Sequence, residues 1–175
     1  MGFAYKSRIA DIVLADRLSY MGAVLVRGPK WSGKTTTCEQ IAQSAIYMGD
    51  PELMTQYQDY AAINVKDLLR GTQPRLIDEW QLAPQFWDAV RYEVDHSPGL
   101  GHFILTGSSV PPVADVNAKP EVRKIHHTGT GRIAKMTMRT MSLFESGDSS
   151  GEVSVRALLR GETFSGGSAR PMRLI

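Results

Sequence analysis

Apolar positions recur along this chain with two different periods, and the changes of period mark its elements. Ile9, Val13, Leu14 and Leu18 share one face of a 3.6-residue repeat. They predict a helix over about 8–20, with Gly22 where a helix C-terminus commonly turns over. AVLVR, closed by Gly28, is short and rich in β-branched residues and reads as a buried strand. TTTCEQIAQSAIYMG puts Cys38, Ile41, Ala42, Ala45 and Ile46 on one helical face and predicts a second helix. Residues 50–63 show no decisive period. NVKDLLRG predicts a short helix with Asn64 as N-cap and Gly71 after its end. PRLIDE is a brief strand ending in two acids. Phe86, Val90 and Val94, four apart, mark a helix in PQFWDAVRYEVD that Pro84 can start and Pro98-Gly99 closes. GHFILTG reads as a buried strand. In IAKMTM, Ala134, Met136 and Met138 alternate with Ile133, Lys135 and Thr137 and predict the last one.

Strands alternating with helices predict an α/β fold with a parallel sheet covered on both faces. Function then belongs at the carboxyl ends of the strands. A long connection between Ser109 and Arg132 carries Pro111-Pro112 and TGTG, and loops of that length are usually functional or mobile. At 175 residues the chain suits one domain, and 42% hydrophobic with 22% charged residues excludes disorder and fibrous repeats. The longest apolar runs, AVLV and FIL, are far below the roughly 20 residues that cross a bilayer, so no membrane span is expected. The N-terminus lacks a signal-peptide stretch, and one cysteine, Cys38, cannot form an internal disulfide. A cytoplasmic location is expected.

Charge is uneven. From Lys119 onward ten Lys and Arg stand against five Asp and Glu, while residues 1–118 carry ten against thirteen. The basic part could touch nucleic acid or phosphates, but its charges are spread out without aromatic interleaving, so nucleic acid is not the predicted partner.

GPKWSGKT, between a predicted strand and a predicted helix, matches the phosphate-binding pattern G-x-x-x-x-G-K-[ST]. Glycines Gly28 and Gly33 let successive N–H groups aim inward, and the start of the following helix adds positive potential. The candidate nucleotide-contacting run is Gly28, Pro29, Lys30, Trp31, Ser32, Gly33, Lys34, Thr35 and Thr36. Lys34 is placed to reach β and γ phosphates, and the Thr35 hydroxyl to bind Mg²⁺. Trp31 is unusual in such a loop. Its side chain should point away from phosphates, toward a neighbouring loop or a partner.

LIDE supplies the acids. Asp78 at a strand tip can hold Mg²⁺, and Glu79 can orient and deprotonate an attacking water. In FILTGSS, Thr106 and Ser108 are candidates to hydrogen-bond that water or a phosphate oxygen, and a turn or helix cap is the plainer use of the same residues. Arg132, after TGTG, is the candidate for stabilising transition-state charge, from its own chain or a neighbour, with Arg139 second; a surface or carboxylate-paired arginine is the alternative. His126 and His127 are adjacent and lack companions at zinc spacing, which argues against a transition-metal site. Cys38 reads as core.

Together RGPKWSGKTTTCEQIAQSAIYM, PRLIDEWQLAPQFWDAVRYEVD, FILTGSS and HTGTGRIAKMTMRTMSLFESG resemble the blocks of bacterial and archaeal AAA-type ATP-binding proteins, from Arg8 to about Leu159. Those proteins normally carry a C-terminal domain of uncharacterised function after the P-loop domain. The resemblance implies a three-layer α/β/α P-loop NTPase with a mostly parallel five-stranded sheet, ATP and Mg²⁺ as ligands, and the roles above for Lys34, Thr35, Asp78 and Glu79. It divides the chain into an AAA-type domain over 1–160 and a linker or truncated start of a C-terminal region over 161–175. Thr140 stands where relatives commonly have proline, and the chain reads as a short form or fragment. The expected activity is Mg-dependent ATP hydrolysis coupled to conformational change, with a protein partner or second copy as possible company. The readings left open are a nucleotide-binding switch with little hydrolysis, an inactive fragment and, ranked lower, a small-molecule kinase.

Overall fold

The computed structural model describes residues 4–107 and 129–163, and the expectations for Ser108, Ser109, His126 and His127 lie outside them. The contacts divide the chain into two units, Ala10–Thr140 and a second that joins residues up to Ile9 with residues from Met141 onward.

In the first unit the elements run α1 (Ile9–Leu18), β1 (Ala23–Arg27), α2 (Lys34–Glu39), β2 (Ser44–Tyr47), α3 (Met54–Leu68), β3 (Arg75–Asp78), a short 3₁₀ turn (Trp80–Leu82), α4 (Gln85–His96), β4 (Phe103–Gly107) and β5 (Ile133–Thr137). The five strands form one sheet in the order β2-β3-β4-β1-β5, every pair parallel. Successive side chains of a strand face opposite sides, and the apolar residues of β1 serve both. Ala23 and Leu25 join a cluster with Phe86, Trp87 and Val90 of α4 and Ala61 of α3. Val24 and Val26 join the other cluster, with Leu14 and Leu18 of α1 and Cys38 of α2. The sheet is therefore covered on both faces, as the alternation of elements predicts.

One predicted element is corrected. The helix expected across TTTCEQIAQSAIYMG stops at Glu39, and SAIY is the edge strand β2. Cys38, Ile41, Ala42 and Ala45 do fall at helical spacing, but only KTTTCE is helical. The ladder with β3 wins the rest: Gln43 N–H donates to the Pro74 carbonyl at 2.8 Å, and Ser44 to Tyr47 stay in register with Arg75 to Asp78. β2 is the fifth strand, which no local pattern marked. The helix expected at Asn64 is the second half of α3, broken where Asn64 leaves helical geometry (φ −152°, ψ 76°). Its amide donates to the Asp67 carboxylate at 2.7 Å.

The second unit contains α5 (Leu143–Ser146) and α6 (Val155–Leu159). Ser142 and Glu145 form a capping box at the start of α5. The Glu145 carboxylate also accepts the Ile9 N–H at 2.8 Å and pairs with Arg8 at 3.1 Å. The Ser142 backbone N–H, helped by its hydroxyl, is the main cause that holds the Glu145 carboxyl down at about 2. No helix among the described residues is long and apolar enough to cross a membrane.

Candidate functional site

Parallel strands present all their carboxyl ends on one side, and the register fixes which residues meet there. Arg27, Gly107 and Thr137 end in line, and Asp78 follows Ile77, which is level with Leu105. The loop Gly28–Gly33 leaves β1 at this edge and leads into α2. Gly33 takes the left-handed conformation (φ 87°), as expected of a loop that turns its N–H groups inward. Gly28 is needed for a different reason, because a Cβ there would strike the Met138 carbonyl oxygen. α2 has only six residues, so its own dipole is small.

Lys34 is buried, 6% exposed, and its ammonium donates to the carbonyls of Pro29 (3.0 Å) and Gly28 (3.2 Å). It lies folded across its own loop. The Ser32 N–H donates to the Pro29 carbonyl at 3.3 Å, and Thr36 is exposed on α2. Trp31 has a positive φ of 67° and is 90% exposed, with the Lys30 ammonium 5.8 Å from its ring centroid. The indole points into solvent, and no loop among the described residues covers it.

The acids form a connected network. The Thr35 hydroxyl donates to Asp78 Oδ1 at 2.7 Å, and the Thr106 hydroxyl donates to the same oxygen at 2.5 Å. Thr106 Oγ1 in turn accepts the Glu79 N–H at 3.1 Å. One buried hydroxyl thus ties together both acids of LIDE. The sequence points Thr106 at a water or phosphate; in the structure it is engaged with Asp78 and Glu79. Glu79 itself adopts a left-handed backbone (φ 54°), so the chain turns sharply out of β3 at that residue. Gln81, unmarked by any spacing rule, donates its side-chain amide to Glu79 Oε2. At the outer edge Tyr47, level with Asp78, donates to Glu39 at 2.7 Å, and that bond to a carboxylate raises the phenol to about 12.

Arg132 is not brought to this site. It precedes β5, its carbonyl accepts the N–H of Ala23 at the start of β1, and it therefore stands at the amino ends of the strands. Its guanidinium pairs with Asp95 at 2.7 Å, which lowers the Asp95 carboxyl from its ordinary value. With the Gly28–Gly33 loop at the other end of β1, Arg132 cannot reach its own chain's loop. Arg139, just beyond β5, stands at the carboxyl ends of the strands. Cys38 is fully buried, and desolvation first, then the nearby Asp78, pushes its thiol up, which suits core and not nucleophile.

Thr35 and Asp78 offer oxygen donors side by side, the ligand type that Mg²⁺ prefers. Among the described residues no group of three or more His, Cys, Asp and Glu could enclose a metal ion. A Mg²⁺ here would be held by these two oxygens, substrate phosphates and water, the usual arrangement for this ion.

A family model described as AAA domain matches residues 21–146, more than half of the chain. No curated protein matches the chain.

Proposed function

The chain belongs to the AAA domain family, and from that premise we propose that it binds ATP with Mg²⁺ in the Gly28–Thr36 loop and hydrolyses it. The observation that carries the reading is the convergence of Thr35, Asp78, Thr106 and Glu79 at the carboxyl ends of β1, β3 and β4. Loop N–H groups and the Lys34 ammonium bind the phosphates; Lys34 exchanges its present carbonyl partners for phosphate oxygens of higher charge. Thr35 and Asp78 hold Mg²⁺, which when bound neutralises charge on the β and γ phosphates. Glu79 accepts a proton from water as its oxygen attacks the γ phosphorus and the bond to the β–γ bridging oxygen breaks. Arg139 stands at the loop's end of the sheet and takes the charge-stabilising role that Arg132 is too far away to fill. Turnover drives a conformational change in a larger assembly.

Glu79→Gln tests this. Phosphate release from ATP with Mg²⁺ should fall roughly a hundredfold or more, the scale of a lost general base, while calorimetry still detects ATP binding. Wild-type turnover in that variant would remove Glu79 from its role. ATP binding by the unaltered chain without turnover would make it a nucleotide switch and not a hydrolase.

A further inference from the structure

A carboxylate at the end of three rotatable bonds does not stay aimed unless something holds it. The backbone of Glu79 is fixed, by its left-handed turn and by its N–H bond to Thr106 Oγ1. Its side-chain torsions are not fixed by either. The Gln81 amide, donating from Nε2 to Glu79 Oε2, supplies that restraint. Resting on the reading of Glu79 as the acid that activates water, we propose that Gln81 is the positioning residue that orients the Glu79 carboxylate.

Three features support the assignment. First, Gln81 is itself anchored. Trp80 beside it is 1% exposed and packs on Trp87 with ring centroids 5.1 Å apart. The turn is closed by Leu82 N–H to the Glu79 carbonyl and Ala83 N–H to the Trp80 carbonyl, both at 3.0 Å. Second, β4 ends in a residue that leaves room for the amide. A Cβ on Gly107 would lie 2.5 Å from Gln81 Oε1 and 3.2 Å from Trp80 Nε1. Any larger residue would push the amide off its place. Third, the chemistry suits a base. A neutral amide orients a carboxylate through a donated hydrogen bond, whereas a lysine or arginine there would add a full charge that opposes proton uptake.

The test compares kcat and KM for ATP in the full chain and in Gln81→Met, which keeps the volume and loses the donor. Gln81→Met should lower kcat about tenfold with KM within twofold, as expected for a misaimed group. Gly107→Ala, whose methyl meets the Gln81 amide first and the Trp80 indole second, should reproduce the loss. In Glu79→Gln the carboxylate is already gone, so adding Gln81→Met should slow turnover no further. Wild-type kcat in Gln81→Met, or a loss that adds in full to that of Glu79→Gln, would overturn the proposal while leaving Glu79 in its role. Wild-type turnover in Glu79→Gln is the different failure, in which the reading of the acid falls first and the positioning role with it. Should Gln81→Met fold poorly, the Gln81 side-chain amide resonances report directly. They should move between the wild-type chain and Glu79→Ala, and unmoved resonances would dispose of the contact.

Discussion

The two ends of the sheet hold similar residues and differ in what the residues do. At the amino ends, Arg132 and Asp95 form a half-exposed pair, and buried His102 has its Nδ1 2.6 Å from the Gln73 amide oxygen. An open surface depression lies beside it, lined by residues including Leu18, Pro74, Leu100 and His102. Asp95 is shared there with Arg91, at 3.6 Å on the same helix. At the carboxyl ends, two threonine hydroxyls converge on one Asp78 oxygen, and Glu79 is tied to one of them. Arginines, carboxylates and glycines occur at both ends, so the inventory does not separate them. Strand direction does: in a parallel sheet every loop that leaves a strand opens on one side, and that is the side where ligands of open α/β sheets bind.

Substitutions that break the network should have the largest effects. Asp78→Asn removes the carboxylate on which Thr35 and Thr106 converge, and turnover with Mg²⁺ should fall at least about a hundredfold, since metal charge stabilisation is worth several kcal/mol. Unchanged Mg²⁺ dependence in that variant would detach Asp78 from the metal. Thr106→Val keeps the shape but deletes a donor to a charged oxygen and an acceptor for a buried N–H. Urea denaturation should show a loss of roughly 1–3 kcal/mol, and turnover should drop about tenfold because both acids loosen. A variant of native stability would show that the hydroxyl is not holding them.

The smallest effect belongs to the amino ends. Arg132→Ala should leave phosphate release within about twofold of wild type, whereas a large loss would mean that Arg132 acts on a neighbouring copy. Its local consequence is readable by pH. The Asp95 carboxyl is lowered chiefly by the hydrogen bond from Arg132. A depressed carboxyl contributes stability that is present above its ordinary value and lost as the pH falls through its folded value. An NMR titration should find Asp95 below the ordinary carboxylate value in the wild-type chain and moved back up toward it in Arg132→Ala.

How much of this is legible in the amino-acid order depends on how local each signal is. The Gly28–Thr35 loop and the acids of LIDE are set by short spacings at the end of a strand, so they are readable without knowledge of the fold. The same holds for α1, β1, α4, β4 and β5, whose periods run unbroken. β2 is not legible, because its apolar residues continue the spacing of α2, and pairing with β3 decides the matter. Arg132 is misplaced by its neighbours for a related reason: nearness in sequence to TGTG says nothing about which end of the sheet that turn occupies. Gln81 leaves no trace, since the strand that would put residues two apart on one face ends at Asp78, and a sharp turn at Glu79 brings the two side chains together instead.

The Gly28–Thr36 loop, the two acids and the alternation that makes a parallel sheet are written into local stretches of the chain, because they depend on backbone freedom at glycine and on periods of 2 and 3.6. That Thr106 and Gln81 hydrogen-bond the acids, and that Arg132 lies at the other end of its own sheet, is decided only by the folded arrangement. Each of those assignments is a contact between segments far apart in the chain or turned by an unusual φ, and such contacts exist only once strand order and register are fixed.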